Sequence, residues 1–148
     1  MIKKIYSYEI FFAIAVAFLL ILCPQMGKSE SPRTITLQSG EVVCDLNGEW
    51  TALYENYGQC SAAGNQEAIL QIKQEGNKFV AIKLSGGGPA DKGTEVIRGE
   101  LDQKGLKKAE MNLVLLGLWE NSEGEIADAC KKIIINNVGC VKGTLQRK

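Results

Sequence analysis

The sequence predicts an all-β fold, a small eight-stranded antiparallel up-and-down barrel. Short runs of alternating apolar and polar residues are separated by turns rich in Gly, Asn and Asp, which is the pattern of half-buried strands joined in hairpins. No run has the length and period expected of a crossover helix. Gly48 and Trp50 open the first of these strands and Arg147 closes the last, which suggests that the first and last strands are neighbours.

The first 29 residues have the pattern of a signal peptide. A pair of lysines precedes an unbroken apolar run of 13 residues, 10–22. That run is shorter than the ~20 residues that a membrane-spanning helix needs, so cleavage after Ser29 is favoured over a transmembrane anchor. Lipid anchoring at Cys23 is the alternative, although Leu22 precedes this cysteine where a small residue is expected. The protein is therefore expected to be exported (periplasmic or extracellular), with no stable membrane span after cleavage.

Composition excludes several classes of function. The full chain carries 17 basic and 17 acidic residues, and loss of the leader removes three lysines and one glutamate, so the mature net charge is about −2. A weakly acidic chain with scattered basic residues is not expected to bind nucleic acid. The chain has no histidine and no cysteines at the close spacing of a zinc site. No metal and no cofactor are therefore expected.

Four cysteines remain after the leader, and an even number in an exported chain predicts two disulfides. Their pairing follows from strand direction. If the first strand runs upward, Cys44 and Cys130 lie at the lower end of the barrel, while Cys60 and Cys140 lie at the upper end. We therefore predict Cys44–Cys130 and Cys60–Cys140. A Cys130–Cys140 bridge would have to join opposite ends of one hairpin, which disulfide geometry forbids.

The order of elements follows from the turns. Residues 30–43 are polar and are expected to form an irregular tether that leads into a barrel domain at 44–148. Residues 106–119 fit either a helix or a strand, since their intrinsic propensity favours a helix and the hairpin turns on both sides favour a strand; we predict a strand. A turn is expected at 121–124. The eight strands are predicted at 46–55, 68–74, 78–84, 94–101, 106–119, 125–127, 131–135 and 140–147.

Closure of these strands would remove the unpaired sheet edges, and eight strands leave an interior that side chains just fill or that holds one small ligand. Gly48-x-Trp50 on the first strand with Arg147 on the last resembles the pattern of calycins, the group of lipocalins, fatty-acid-binding proteins and avidins. The stretch 44–51 is most similar to the opening of avidins. The resemblance implies that the cation covers the Trp and closes the barrel base.

The resemblance does not extend to a biotin site. Ala52 stands where avidins carry an Asn that contacts biotin, and Lys83 stands where they carry a tyrosine. Biotin binding is therefore not expected.

The sequence contains no catalytic constellation, because histidine is absent and the carboxylates are spread along strands and turns. We therefore expect a binding module rather than an enzyme, one that holds a small apolar molecule at a barrel mouth. The candidate ligand-binding residues are Trp50, Ala52, Tyr54, Leu70, Phe79 and Trp119. The residues expected to point inward are Leu46, Trp50, Ala52, Leu70, Ile72, Phe79, Leu113, Ile134 and Val141.

Two alternatives remain open. The first is a protein-binding or enzyme-inhibitor barrel that acts through its rim loops at 57–66 and 85–93, and the second is a structural domain with a fully packed core. A cavity inside the barrel would favour a small ligand. A filled interior beside an exposed apolar loop would favour a protein partner.

Overall fold

The computed structural model describes residues 31–137 and 139–148, so the predicted signal peptide, its cleavage site and Cys23 lie outside the described residues. The described part contains ten strands and two short 3-10 helices, at Gly58–Ala63 and Val114–Leu116. The strands are β1 (Thr34–Thr36), β2 (Val42–Cys44), β3 (Gly48–Asn56), β4 (Gln66–Glu75), β5 (Lys78–Gly86), β6 (Glu95–Asp102), β7 (Gly105–Leu113), β8 (Leu118–Ala127), β9 (Lys132–Asn137) and β10 (Val141–Arg147).

The last eight of these strands close into an antiparallel barrel. Each strand from β3 to β9 pairs with the next along the chain, and β10 pairs back onto β3, with Arg147 opposite Trp50. The all-β, eight-stranded antiparallel barrel predicted from the hairpin pattern is thus confirmed. Among the described residues, no helix has the length and apolar character needed to cross a bilayer.

The barrel has two distinct ends. We call the end where β3 starts and β10 finishes the base, and the opposite end the mouth. The mouth carries both 3-10 helices and the Gly-rich loop 87–94 between β5 and β6. Because strand directions alternate, every residue of the chain that lies near a β3–β4, β5–β6, β7–β8 or β9–β10 connection belongs to the mouth.

Alternation along the strands produces one apolar interior. Most of the residues predicted to point inward are buried there, at no more than 6% exposure, and Leu113 is partly buried against them. The prediction for Ile134 is wrong, because Ile133 and Ile135 on either side of it are the fully buried residues of β9. Three consecutive isoleucines give no alternation, so only the pairing of Ile133 with the inward Leu145 reveals which face is internal.

Part of the predicted irregular tether forms a small hairpin. β1 pairs with β2 in a separate two-stranded sheet, with Thr34 opposite Cys44. Val43 is buried, and Ile35 and Leu37 pack against the barrel core. This hairpin therefore adds apolar contacts to the core from outside the barrel sheet.

The turn between β7 and β8 lies earlier than predicted. It is formed by residues 114–117, where Gly117 adopts a left-handed conformation at φ 68°, and the predicted turn at 121–124 and short strand at 125–127 are both part of β8. Gly124 does not form a turn. It allows β8 and β9 to pack closely, because a Cβ at this position would lie 2.5 Å from the Ile134 carbonyl oxygen. The choice of strand over helix is right for β7, which ends at Leu113.

Both predicted disulfides are present. Cys44 bonds to Cys130 with a Cα–Cα distance of 5.6 Å, and Cys60 bonds to Cys140 with a Cα–Cα distance of 4.9 Å. The first bridge lies at the base, where it joins the end of β2 to the turn before β9. The second lies at the mouth, where it joins the 3-10 helix after β3 to the turn before β10. Each end of the barrel thus carries one covalent cross-link.

Candidate functional site at the barrel mouth

The base of the barrel is a structural closure. The Arg147 guanidinium lies 4.8 Å from the centroid of the fully buried Trp50 ring, so the predicted cation–π contact is present. The indole nitrogen donates a hydrogen bond to the Leu46 carbonyl at 2.9 Å. Gly48, at φ 132°, leaves room for the cation, because a Cβ there would lie 3.3 Å from Arg147 Nη1.

Two of the three guanidinium nitrogens of Arg147 hold the base, while Nε is buried without a hydrogen-bond partner among the described residues. Arg147 Nη1 donates to the Asn47 carbonyl at 2.7 Å, and Nη2 donates to the Asp45 carbonyl. Burial lowers the pKa of Arg147, and the neighbouring charge of Arg33 lowers it further against the opposing effect of Asp45. These contacts serve closure, so we do not place a ligand at the base.

The lower interior is filled by the side chains that the sequence analysis assigned to ligand binding. Trp50 and Leu70 have no exposed surface, and Phe79 and Ala52 are each 2% exposed. They pack in the continuous core cluster with Ile72 and other inward residues. In the structure these four predicted ligand residues therefore form packed core.

Trp119 does not line the interior. It pairs with Asn112 on β7, one position from the inward Met111, so its ring faces outward. The Arg98 guanidinium covers this ring at 4.2 Å from the centroid, and Arg98 Nε donates to Glu110 at 2.8 Å. The hydrogen bond from Arg98 lowers the pKa of Glu110. Trp119, a candidate ligand residue from the sequence, therefore lies on the outer face of the barrel, because the four residues between β7 and β8 set the register that pairs it with Asn112.

Tyr54, which was also predicted to bind ligand, lies inside the mouth. Its half-buried ring covers Gly143, where a Cβ would be 3.4 Å from the ring. Its hydroxyl is buried, and within the described residues it has no hydrogen-bond partner. Burial raises the pKa of this phenol well above its usual value. Tyr54 is therefore a neutral hydroxyl group that remains free to donate a hydrogen bond.

Glu120 on β8 and Asn137 on β9 form a polar pair on the inner face of the barrel. Asn137 is 2% exposed, and its Nδ2 donates to Glu120 Oε2 at 2.8 Å. Its Oδ1 is buried and lacks a partner within the described residues. A buried hydrogen-bonding group normally has a partner, so the Tyr54 hydroxyl and Asn137 Oδ1 are each available to a water molecule or to a polar group of a ligand.

Lys83 holds the Gly-rich loop at the mouth. The side chain is 5% exposed, and its ammonium donates to the carbonyls of Gly87 and Ala90 at 2.7 Å each and of Gly88 at 3.3 Å. The loop returns a backbone bond from Gly93 to the Lys83 carbonyl at 2.8 Å. Lys83, which in the sequence marks a departure from a biotin site, is in the structure a buried charge satisfied by three loop carbonyls.

The other predicted rim loop is also tied down. Besides the Cys60–Cys140 bridge, Tyr57 bonds through its hydroxyl to Asn136 Oδ1 at 2.7 Å and to the Asn137 carbonyl at 2.8 Å. Gly58 approaches Gly139 so closely that a Cβ would lie 2.4 Å from its carbonyl oxygen. Both rim loops named from the sequence are thus anchored, and the exposed residues of 57–66 are largely small or polar.

The exposed apolar surface of the mouth lies on a third connection, which the sequence analysis assigned to a strand. We call residues 114–118 the leucine turn. Leu115 is 81% exposed, Leu116 is 66% exposed and Leu118 is 40% exposed. The run of apolar residues followed by Gly117 was the signal that a turn, and not a strand, presents these side chains.

Two grooves open on the outside of the barrel. One of about 720 Å³ lies at the base between the β1–β2 hairpin and the β6–β7 turn. The other, of about 620 Å³, lies on the outer face of β10, β3 and β4 near Leu53 and Ile69. Among the described residues, no three His, Cys, Asp or Glu side chains are placed to share a metal ion. The mouth combines an exposed apolar turn with two buried polar atoms, Tyr54 Oη and Asn137 Oδ1, that have no partner among the described residues.

Comparisons with protein-family models, with curated proteins and with solved structures give no match to this chain.

Proposed function

We propose that this protein is an exported, non-enzymatic barrel that docks on a partner protein through the leucine turn at its mouth. The observation that carries the proposal is the exposure of Leu115, Leu116 and Leu118 within four residues of the chain at the β7–β8 connection. Single exposed apolar residues are common on soluble domains, whereas a contiguous cluster marks an interaction site. Aliphatic side chains on a projecting turn suit a pocket on another macromolecule.

The leucine turn is also held in one conformation. The Gly117 amide donates to the Leu113 carbonyl at 3.0 Å and to the Val114 carbonyl at 3.2 Å, and Leu113 pairs with Leu118 across the start of the hairpin. A turn that is ordered before binding loses little conformational entropy when it docks. The geometry therefore supports a preformed contact surface.

This proposal takes the place of the small apolar ligand as the first function. The interior residues expected to bind such a ligand fill the lower barrel, and the exposed apolar surface lies on a loop. That combination is the one that favours a protein partner. The two rim loops expected to make the contacts, at 57–66 and 85–93, are anchored, so in the proposal the main contact moves to the leucine turn.

Photo-crosslinking tests the proposal. We replace Leu115 with p-benzoylphenylalanine in the mature protein, produced in its own source, and replace Leu53 in a matched control, since Leu53 is an exposed leucine on the outer face of β3. A discrete protein should crosslink from position 115 and not from position 53. No protein adduct at position 115, or the same adducts at both positions, would contradict docking through the turn.

A second candidate function is supported by the unpartnered atoms inside the mouth. Tyr54 Oη and Asn137 Oδ1 are buried without partners in the described residues. A small molecule with a hydrogen-bond acceptor beside a donor would satisfy both groups. Such a ligand would be less apolar than the sequence analysis expected, and it would bind above the filled lower core.

The Tyr54→Phe variant distinguishes a mouth that binds a ligand at Tyr54 from a mouth that binds none. Without a ligand, we expect the change to raise the free energy of unfolding by about 1 kcal/mol or more, because it removes an unsatisfied buried hydroxyl. Burial raises the Tyr54 pKa, so wild type should lose stability as the pH rises above ~10, and the variant should lose less. Urea denaturation at pH 7 and pH 10.5 gives both values.

The reverse result has a different meaning. In that case, protein purified from its own source retains a small molecule in native mass spectrometry, and Tyr54→Phe loses that molecule together with stability. That result would favour the small-ligand function over protein docking. Tyr57→Phe is the control, because its hydroxyl already bonds to Asn136 and to the backbone.

The proposal also includes export of the protein and a calycin-like relationship. The two disulfides support an oxidising compartment, in keeping with the signal peptide expected from residues 1–29. The closed barrel, Gly48-x-Trp50 and the Arg147 contact support a calycin-like relationship. Fold alone does not assign function, so the proposed docking role depends on the leucine turn and not on this relationship.

A further inference from the structure

We infer that the Gly-rich loop 87–94 is a lid over the interior of the mouth, and that the Lys83 ammonium locks this lid shut. The inference rests on the second candidate function, a small ligand inside the mouth, and adds how entry of that ligand is controlled. The attachment of the loop, its exposure and the small side chains of the neighbouring strands all support this role.

The middle of the loop is attached to the barrel through one side chain. Backbone hydrogen bonds hold its two ends, at Gly87 and Gly93. Between these ends, within the described part of the chain, the hydrogen bonds from the barrel come from the Lys83 ammonium, which reaches the Gly88 and Ala90 carbonyls. Loss of this one donor would therefore free the middle of the loop.

The loop has few other contacts that resist opening. Its residues are exposed apart from Thr94 at its end and Ala90, which is partly buried against the core. Gly88 and Gly93, at φ 98° and 88°, flank the segment that would move. Segments with few buried apolar contacts and an exposed backbone open at low cost in free energy. Opening also returns the Lys83 ammonium to water, whose hydrogen bonds replace those of the carbonyls.

Small side chains line the inner face of the strands beside the lid. Ala52, Ala68 and Ala81, on β3, β4 and β5, are all buried. Ala68 is paired with Ala52 and with Gly86, the residue that precedes the lid. We therefore expect movement of the lid to withdraw Ala90 from the core and to uncover a space bordered by short apolar side chains.

Two hydrogen-bond donors would face a ligand in the open mouth. The Tyr54 hydroxyl has no partner among the described residues, and Tyr54 pairs with Gln66, whose side chain lies beside Gly87 at the start of the lid. The Lys83 ammonium becomes a second donor once the loop carbonyls move away. The lid therefore suits a small apolar molecule that carries hydrogen-bond acceptors.

The test uses 6-propionyl-2-dimethylaminonaphthalene, a neutral, apolar fluorescent probe with a carbonyl acceptor. It is mixed by stopped flow with wild type, Lys83→Met and Lys73→Met. Methionine retains most of the length of lysine without its donors, and Lys73 is an exposed lysine on β4 that serves as the control. We expect the probe to associate at least tenfold faster with Lys83→Met than with wild type. Hydrogen exchange at the loop amides should accelerate in the same variant, and Lys73→Met should match wild type in both measurements.

A cross-link tests the lid with Lys83 unchanged. A Cβ at Gly87 would lie 3.6 Å from the Gln66 Cβ, within the range of ~3.5–4.5 Å found in disulfides. Gln66→Cys/Gly87→Cys should therefore form a bridge, verified by peptide mapping, that holds the start of the lid on β4. The probe should associate at least tenfold more slowly with this form than with Gln66→Ser/Gly87→Ser, which has side chains of similar size and no bridge.

The outcomes separate the lid from the small-ligand function. If the probe binds but its association rate is the same in the Lys83→Met and cross-linked forms as in their controls, the lid is wrong and the small-ligand function stands. If Lys83→Met leaves hydrogen exchange of the loop unchanged, the lock is wrong. If the probe binds no form up to its solubility limit, both the lid and the small-ligand function are wrong. Loss of probe binding in Leu115→Ser/Leu116→Ser would place the probe on the leucine turn and would contradict both as well.

Discussion

Trp50→Ala is expected to lower the free energy of unfolding by ~3–5 kcal/mol, the range for truncating a large buried aromatic residue. Trp50 has no exposed surface and lies under Arg147, its partner at the base end of the ladder between the first and last barrel strands. The substitution also leaves the Leu46 carbonyl without its indole donor. Urea denaturation followed by far-UV circular dichroism measures the change.

Arg147→Ala should cost less, and the two changes should not add. The cation–π contact contributes about 0.5–2 kcal/mol, so Arg147→Ala should cost that much less in the Trp50→Ala background than in wild type. Part of its effect should persist there, because the bonds from Arg147 to the Asn47 and Asp45 carbonyls do not involve the ring.

Arg98 and Trp119 provide the matched control, a second cation–π pair on the outer face of the barrel. The Arg98 side chain is 44% exposed, so water weakens this contact and its coupling in the same double-mutant cycle should be smaller. Equal coupling in the two pairs, or additive effects of Trp50→Ala and Arg147→Ala, would contradict a closing role for the base contact.

Loss of the disulfides should have the second large effect. The bridges span 86 and 80 residues, and these loops overlap. With one bridge intact, the other closes a loop of only about 26 residues, through Cys44 to Cys60 and Cys130 to Cys140, worth ~3–4 kcal/mol by chain entropy. Removal of both should cost about 8 kcal/mol, which approaches the whole stability of an ordinary domain.

The paired substitutions Cys44→Ser/Cys130→Ser and Cys60→Ser/Cys140→Ser test this arithmetic by urea denaturation. Each variant should remain folded, and the variant without all four cysteines should be unfolded or marginal at 37 °C. Wild type treated with dithiothreitol should behave like the four-serine variant. A four-serine variant that is as stable as either single-bridge variant would contradict the overlapping-loop account.

The parts of the fold that the sequence predicted depend on local rules. Alternation places β3, β4 and β5 within a few residues of their observed bounds, and Gly76 between two regular alternating runs marks the hairpin between β4 and β5. The disulfide pairing follows from strand direction alone, because antiparallel order decides which cysteines share an end. Closure of the barrel was predicted from Gly48 and Trp50 at the start of its first strand and from Arg147 at the end of its last strand.

The sequence-based predictions fail where the same residue type occurs in more than one structural setting. Gly124 reads as a turn, yet it lies within β8 because the Ile134 carbonyl comes too close for any side chain. Ile133 to Ile135 show no alternation of apolar and polar residues, so only the pairing with neighbouring strands determines which of them point inward. The burial of Lys83 was not predicted, because it depends on three carbonyls of a loop that only the fold brings to it.

The candidate site was harder to predict than the fold. Tyr54 follows from alternation on β3, but the sequence cannot show that its hydroxyl lacks a partner. The leucine turn was missed because its apolar residues fit a strand, and a strand assignment would have alternated them between two faces. Only the turn at Gly117 leaves Leu115, Leu116 and Leu118 exposed together.

The most direct test of the docking function is calorimetric titration of the protein crosslinked from position 115 into wild type, Leu115→Ser/Leu116→Ser and Leu53→Ser. All three barrels should have closely similar melting temperatures, because the substituted side chains are exposed. The account predicts that the turn variant binds at least tenfold more weakly, a loss of about 1.4 kcal/mol or more, and that Leu53→Ser binds like wild type. Unchanged affinity of the turn variant would contradict it.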